Sequence, residues 1–193
     1  MGIEFELKYT ATAQAQEAVM RQISGLWHTI SMETTYYDTP SATLSQLHYT
    51  LRRRLENGSS VCTIKTPAGK SARGEWETEC DAIEKAIPEL CKLGAPENLP
   101  LLTAEGLEEV CGARFTRRAC ITRFGEAEVE IALDSGVLFS GSREIPLCEL
   151  EVELKSGPQE DAITFSKLLA AKFTLQSQPK SKFRRALDLR KGE

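Results

Sequence analysis

The sequence predicts an α+β fold, in which an antiparallel β-barrel of roughly eight strands encloses a charged lumen and helices pack on the outside. Two observations carry this prediction. Many segments alternate apolar and charged residues with a period of two, and whole charged faces are either acidic or basic. Amphipathic helical segments between the strands can cover the apolar faces. Charge inside a small barrel is costly unless it is paired or ligated, so the pattern indicates a bound ligand.

Length and composition restrict the class of protein. The 193 residues are 41% hydrophobic and 27% charged, and we predict one domain over residues 1–193. The formal net charge of −4 does not favour nucleic acid, and no apolar run reaches the roughly 18 residues of a membrane span. Because the N-terminus has no signal-peptide pattern, we expect a cytoplasmic protein. An exposed barrel flank could support an oligomer, but no patch identifies one, so none is predicted.

The first predicted strand covers residues 3–9. Its alternation places Glu4, Glu6 and Lys8 on one face and apolar side chains on the other. A helix is predicted over residues 12–23, with Thr12 as its N-cap. A β-prone run over residues 32–37 then ends at the turn Asp38-Thr39-Pro40. The chain therefore begins with a strand whose charged face is either a solvated surface or the wall of a cavity.

A basic hairpin is predicted next. Residues 49–55 and 61–65 form its strands, and Asn57-Gly58 forms the turn. Its alternation places Arg52, Arg54 and Lys65 side by side on one face. Like charges on neighbouring strands destabilise a sheet, so this face requires an anion or solvent.

The middle of the chain is predicted to alternate between strand and helix. Residues 75–80 form a strand with an acidic face, and residues 81–93 form a helix that Pro88 kinks or divides. A second helix is predicted over residues 103–111, capped by Thr103 and ended by Gly112. These helices are expected to cover one outer side of the sheet.

The last third repeats the strand pattern. In residues 114–124 we assign Phe115, Ala119 and Ile121 to the apolar face, so that Arg118, rather than Arg117, is the charged-face residue. Strands over residues 127–134 and 147–155 carry the acidic faces, whose members are Glu128, Glu130, Asp134, Glu149, Glu151 and Glu153. An amphipathic helix over residues 158–173 precedes a basic C-terminal segment.

Several of these motifs, in this order, resemble one family. They are the E-x-E-x-K stretch of residues 4–8, Tyr37-Asp38-Thr39-Pro40, Leu51-Arg52-Arg53-Arg54, Thr63-Ile64-Lys65, the acidic strand of residues 128–134, and Glu149-Leu150-Glu151. The ordered set resembles the CYTH superfamily, the triphosphate tunnel metalloenzymes, over essentially the whole chain. The resemblance implies an eight-stranded antiparallel tunnel that binds small-molecule triphosphates together with Mg²⁺ or Mn²⁺.

The resemblance also implies roles for individual residues. The predicted phosphate-binding residues are Lys8, Arg52, Arg54, Lys65, Arg118, Lys182 and Arg185. The predicted metal ligands are Glu4, Glu6, Glu149, Glu151 and Asp134. Glu4, Glu6, Lys8 and Glu130 are the predicted catalytic residues. The family often has Gly after the arginine that corresponds to Arg185, and this chain has Ala186, which leaves the register of that segment open.

Metal-dependent hydrolysis of inorganic triphosphate to phosphate and pyrophosphate is the function we expect. Cationic side chains and a metal would withdraw charge from the phosphoryl oxygens, and a carboxylate would orient or deprotonate the attacking water. Three alternatives stay open from the sequence: hydrolysis of thiamine triphosphate or a nucleoside triphosphate, adenylyl cyclase activity, and non-catalytic binding of polyphosphate or a nucleotide.

Overall fold

The computed structural model describes the backbone of residues 2–68 and 72–191 and the side chains of residues 5–68 and 73–190. The described strands are β1 (Gly2–Glu4), β2 (Glu6–Thr10), β3 (His28–Asp38), β4 (Thr50–Glu56), β5 (Ser59–Ala68), β6 (Ala72–Glu79), β7 (Glu108–Phe124), β8 (Ala127–Ser140), β9 (Arg143–Ser156) and β10 (Gln176–Ser177). The described helices are α1 (Ala13–Gln22), α2 (Thr43–Gln46), α3 (Ile83–Lys92), α4 (Leu99–Leu102), α5 (Gln159–Phe173) and α6 (Lys182–Lys191).

All ten described strands belong to one antiparallel sheet, in the order β1-β6-β5-β4-β3-β7-β8-β9-β2-β10. The N-terminal stretch is interrupted only at Phe5, so that β1 pairs with β6 while β2 pairs with β9. The hydrogen-bonded order of strands is therefore open. β1 lies at one end of this order, and β2, which follows β1 in the chain, lies next to its other end. If β1 and β2 are counted as one interrupted strand and the two-residue β10 is set aside, eight strands result. The predicted α+β class and the antiparallel sheet are confirmed.

Strand register determines which side chains share a face, because residues paired across neighbouring strands point the same way. Arg52 of β4 pairs with Thr63 of β5, and Thr63 pairs with Glu77 of β6. In the same way Lys65 pairs with Glu75. The predicted alternation in these three strands is therefore confirmed, and their charged side chains lie on one face, which we call the inner face.

Helices cover the opposite, outer face in two apolar clusters. In the first, Leu51, Ile64 and Trp76 of the sheet pack against Ile87 and Leu90 of α3. The second cluster joins strands β2, β8 and β9 to α1 and α5, and its fully buried members include Val19, Val129, Ile131 and Leu150. Burial of these side chains supplies the main favourable free energy for covering the sheet.

The C-terminal helix α6 packs on the inner face, and here the prediction that helices lie outside is wrong. Ala186 is fully buried, and Phe183 and Leu187 pack in a third apolar cluster with Met32 and Phe115 of the sheet. A sheet with an apolar patch on its concave face needs a cover there as well, and α6 provides it. Of the basic C-terminal segment, Lys182 consequently faces the lumen, whereas Lys180 and Arg184 stay exposed to solvent.

The predicted helix over residues 103–111 is also wrong. Thr103 lies at the end of α4, where its hydroxyl donates to the carbonyl of Leu99, and strand β7 begins at Glu108. The end of this segment is a strand because it pairs with β3; Glu108, for example, pairs with Asp38. Tertiary pairing thus outweighs a weak local helix signal.

Three other predicted helices are confirmed. Thr12 caps α1 by accepting from the backbone N–H of Ala15 at 3.1 Å, Pro88 lies inside the continuous helix α3, and α5 follows Pro158 directly. Within the described residues, none of the helices has both the length and the apolar character needed to span a membrane.

Candidate active site

The inner face of the sheet surrounds a cavity of about 390 Å³, a size typical of small-molecule sites. Eight cationic and seven acidic side chains line it, together with a few hydroxyl and apolar groups. The cationic ones are Lys8, Arg52, Arg54, Lys65, Arg73, Arg117, Lys155 and Lys182. The acidic ones are Glu6, Glu56, Glu75, Glu77, Glu130, Glu151 and Glu153. Such a lining suits a highly charged ligand rather than an apolar one.

One wall of the cavity is formed by β4, β5 and β6, and we call it the basic wall because its cations, Arg52, Arg54, Lys65 and Arg73, outnumber its glutamates, Glu56, Glu75 and Glu77. A single carboxylate oxygen of Glu75 lies 3.4 Å from Arg52 and 3.3 Å from Lys65, so two cations share one acidic group. Burial and the neighbouring Arg52 guanidinium lower the pKa of Arg54. The Nε of Arg54 is buried and has no hydrogen-bond partner among the described residues. An anion bound here would supply the negative charge and the acceptor atoms that this wall needs.

The opposite wall, formed by β2, β9 and β8, carries a lateral row of three glutamates. Glu6 pairs with Glu153, and Glu153 pairs with Glu130, so one carboxylate from each strand lies in the same row. Lys8 pairs with Glu151 in the next row, and its Nζ lies 2.8 Å from the carboxylate of Glu6. We call Glu6, Glu153 and Glu130 the acidic row.

Behind the acidic row, a group of buried ion pairs joins α6 to the sheet. Arg117 donates from Nε and Nη2 to the two carboxylate oxygens of Asp134, at 2.8 and 2.7 Å, and from Nη2 to Glu151 at 2.5 Å. Lys182, at the start of α6, lies 2.8 Å from Asp134 and 2.7 Å from Glu151. These contacts involve side chains that are at most 14% exposed. They therefore fix the position of Lys182 at the cavity.

A second contact of the same kind lies one turn further along α6. Arg185 donates to Glu149 at 2.9 Å, and Lys182 lies 3.5 Å from the same carboxylate oxygen. The other oxygen of Glu149 is buried without a hydrogen-bond partner among the described residues, and burial raises the pKa of this carboxyl. Three cations and three carboxylates thus form one buried group. We call it the α6 ion cluster; its members are Arg117, Lys182, Arg185, Asp134, Glu149 and Glu151.

The ion pairs of Glu151 lead to a prediction on the pH dependence of stability. Burial would raise the pKa of Glu151, but Lys182 and Arg117 reverse this and hold the pKa well below its usual range. A carboxylate whose pKa is depressed by folding contributes stability above the unfolded-state pKa, about 4.3, and loses it as the pH falls towards the folded-state pKa. The destabilisation caused by Glu151→Gln should therefore be about 1 kcal/mol smaller at pH 3.5 than at pH 7.

Urea denaturation of both proteins at the two pH values measures this difference. Glu56→Gln is a suitable control, since Glu56 is an acidic residue of the cavity that is partly exposed and lies outside the α6 ion cluster. An effect of Glu151→Gln that is the same at both pH values would contradict the depressed pKa.

The structure brings eight of the predicted site residues to the cavity and leaves four away from it. Those that line it are Glu6, Lys8, Arg52, Arg54, Lys65, Glu130, Glu151 and Lys182. Asp134, Glu149 and Arg185 belong to the α6 ion cluster instead, and Asp134 and Glu149 are completely buried. This pairing favours a structural role for these two carboxylates over metal binding. The side chain of Glu4 lies outside the described residues.

The assignment of Arg118 to the lumen is wrong. Its guanidinium donates to the side-chain oxygen of Gln16 in α1, on the outer face, whereas Arg117 lines the cavity. The error arose because Phe115 was assigned to the outer apolar face, although it packs under α6 on the inner face. Strand alternation fixes relative positions along a strand, and one misassigned apolar residue inverts the whole strand.

Sequence reasoning missed Arg117 as a cavity residue, and it placed Glu75, Glu77 and Glu153 on charged faces of the lumen without assigning them a role in the site. For Glu153 a signal was present, because it continues the spacing of Glu149 and Glu151 by two residues. Within residues 5–68 and 73–190, no three acidic, histidine or cysteine side chains form a group already arranged to hold a metal ion.

Curated relatives of the chain include triphosphatases. It is 31% identical over 139 residues to an inorganic triphosphatase of Haemophilus influenzae, a match that covers 70% of this chain and 39% of that protein. It is 29% identical over 145 residues to a thiamine-triphosphatase of Macaca fascicularis, covering 69% of this chain and 62% of that protein. The match thus spans less than two thirds of the length of either relative.

Solved structures share the fold at low sequence identity. A protein of Pyrococcus horikoshii matches with a TM-score of 0.66 at 22% identity, over 96% of this chain and 98% of the other. A putative adenylyl cyclase from Hippeastrum, described as having a dominant triphosphatase activity, matches with a TM-score of 0.68 at 17% identity, over 98% and 96%. At these identities the likeness supports the fold alone.

The family comparison covers nearly the whole chain. The model of the CYTH domain matches residues 2–187, a range that includes the N-terminal stretch, the basic wall, the acidic row and the first half of α6. This chain therefore belongs to the CYTH domain family.

Proposed function

We propose that the protein hydrolyses inorganic triphosphate to phosphate and pyrophosphate in the cavity, with Mg²⁺ or Mn²⁺. The observation that carries the proposal is the pairing of a basic wall with an acidic row across a cavity of about 390 Å³. Tripolyphosphate needs cations along its length, and a divalent metal needs carboxylate oxygens. One cavity here offers both.

The aromatic residues of the cavity favour an inorganic substrate. Tyr36 and Phe115 are only 3% and 8% exposed, because α6 covers them. Phe183 packs against Tyr36, with a distance of 5.0 Å between ring centroids. Of the three aromatic residues among the described lining residues, Phe183 alone is partly exposed, and its ring is already packed against Tyr36 rather than free to stack with a thiazole or a nucleobase. We therefore propose a substrate that consists only of phosphate groups.

The acidic row has the chemistry that a divalent metal requires. Glutamate carboxylates are hard oxygen ligands, and Glu6, Glu153 and Glu130 present them from three adjacent strands. Lys8 now neutralises Glu6, and Lys155 lies 3.0 Å from Glu153. A metal would take the place of these lysines at the carboxylates, and we propose Glu6 and Glu153 as its ligands. When bound, it would neutralise charge on the phosphoryl oxygens.

The side chains of the chain itself perform the other steps. Arg52, Arg54 and Lys65 would bind the non-reacting phosphates, and Lys182 would reach them from the opposite side of the cavity. Lys8, freed from Glu6, would contact the terminal phosphoryl group and stabilise the charge that develops on it. Because Glu130 lines the cavity beside Glu153, its carboxylate can orient the attacking water and accept its proton. No covalent intermediate is required.

A panel of substrates tests the proposal. Tripolyphosphate, thiamine triphosphate, ATP and long-chain polyphosphate are each incubated with Mg²⁺ and with Mn²⁺, and released phosphate is measured. We expect tripolyphosphate to have a kcat/KM at least about tenfold above the others, since it needs no aromatic subsite. Chelation with EDTA should abolish the release.

Other results would identify the other candidate functions. Preference for thiamine triphosphate would agree with the macaque relative, which is named for that activity. Cyclic AMP formed from ATP would identify a cyclase, and binding of tripolyphosphate without any phosphate release would identify a binding module. Each of these outcomes would contradict the proposed inorganic triphosphatase.

A further inference from the structure

A glutamine on the outer face of the sheet lies directly behind the α6 ion cluster. Gln16 of α1 is completely buried. Its Nε2 donates to the carbonyl oxygen of Asp134 at 3.0 Å and to that of Glu149 at 2.8 Å. Its Oε1 accepts from the hydroxyl of Ser135 at 2.7 Å and from Arg118 at 3.3 Å. A buried amide with four such contacts is held in one orientation.

The two residues that Gln16 binds are partners across the sheet. Asp134 of β8 pairs with Glu149 of β9, and a single side-chain amide bridges their two carbonyls. On the inner face, the carboxylates of the same two residues lie 2.8 and 3.5 Å from the Nζ of Lys182. Gln16 therefore binds the backbone carbonyls of Asp134 and Glu149. The side-chain carboxylates of the same two residues bind Lys182.

We propose that Gln16 is a positioning residue for triphosphate binding. By bridging β8 and β9 at Asp134 and Glu149, it sets the place of Lys182 in the cavity. The inference rests on the proposed function, because it requires that Lys182 contacts the phosphoryl oxygens of the substrate. Gln16 itself lies on the opposite side of the sheet and touches no substrate.

The variant Gln16→Met removes the amide with little change in side-chain length. Binding of tripolyphosphate to the full chain is measured by calorimetry in EDTA, and KM and kcat are measured with Mg²⁺. We expect the Kd and KM to rise about tenfold, the size typical of losing an outer hydrogen-bond partner of a ligand. The kcat should change by less than about threefold, since the residues around the reacting phosphoryl group keep their places.

Two further variants separate positioning from general destabilisation. Val19→Ala removes packing from the same helix, at an equally buried residue that has no contact with the two carbonyls, and it should leave the Kd unchanged. In a Lys182→Met background, Gln16→Met should cause no additional rise in Kd, since the residue through which it acts is gone. If Gln16→Met fails to fold, Ser135→Ala removes a donor to Gln16, together with the hydrogen bond between Ser135 and Cys148, and should raise the Kd about twofold.

Three results would overturn the inference: a wild-type Kd for Gln16→Met, effects of Gln16→Met and Lys182→Met that add fully, or an equal rise in Kd for Val19→Ala. In all three, the unchanged protein still binds and hydrolyses tripolyphosphate, so the proposed function stands. If the unchanged protein does not bind tripolyphosphate at all, the proposed function fails and the inference fails with it.

Discussion

Replacing Glu6 or Glu153 by glutamine should lower the kcat for tripolyphosphate on the order of 100-fold or more, the largest effect we expect on activity. Both carboxylates belong to the acidic row, and an amide is a much weaker ligand for Mg²⁺ or Mn²⁺. Because the cations that we propose to bind phosphate lie mainly on the other wall, calorimetry in EDTA should find the affinity for tripolyphosphate nearly unchanged. The loss should be partly recovered at high metal concentration.

Glu89→Gln provides the matched control, because Glu89 is an exposed glutamate of α3 that pairs with Lys92, three residues away on the same helix. It should retain full activity at every metal concentration. Equal losses of activity for Glu6→Gln and Glu89→Gln, or a loss in Glu6→Gln that no amount of metal changes, would exclude metal binding by the acidic row.

The parts of the fold that could be predicted are those in which local pattern and tertiary environment agree. In β4, β5 and β6 most apolar side chains face helices and most charged ones face the cavity, with Arg53 as a charged residue of the outer face, so alternation alone identified both faces. Likewise, Thr12 caps α1 as its sequence position indicates. The basic wall was therefore found from sequence without any contact information.

The errors on Arg118 and on the place of the C-terminal helix have one cause, which is that apolar residues occur on both faces of this sheet. Met32, Phe115 and Leu138 point inwards because α6 folds back over them. That packing is set by a helix far away in sequence, and nothing in β7 signals it. Runs of basic residues such as the one in α6 are usually solvated, yet Lys182 is buried among carboxylates. That residues 1–193 form one domain stays a prediction.

Sequence spacing also could not separate structural carboxylates from those in the cavity. Glu149, Glu151 and Glu153 share one face of β9, yet Glu149 is completely buried beneath α6 while Glu153 lines the cavity. α6 covers the sheet at Glu149 but not at Glu153, and tertiary packing sets this boundary. Residues that share a face need not share a function.

Replacing Asp134 by asparagine should destabilise the fold by about 3 kcal/mol, the largest effect we expect on stability. Asp134 is completely buried and accepts from Arg117 twice, and Lys182 lies 2.8 Å from it. Asparagine keeps the shape but removes the charge, which leaves three buried cations facing two carboxylates. Its NH₂ group would also face a cationic donor. Urea denaturation at pH 7 in EDTA measures the change.

A matched exposed pair shows how much of this effect depends on burial. Glu144→Gln removes the partner of Arg114, and both side chains of that pair are about half exposed, so the loss should stay below about 1 kcal/mol. The use of EDTA distinguishes the two roles of Asp134. If Asp134 anchors α6, its carboxylate stabilises the protein even without metal. If Asp134 is a metal ligand, replacing it should leave the stability of the metal-free protein unchanged or increase it. If Asp134→Asn loses activity but keeps its stability in EDTA, Asp134 is therefore a metal ligand, as the sequence predicts.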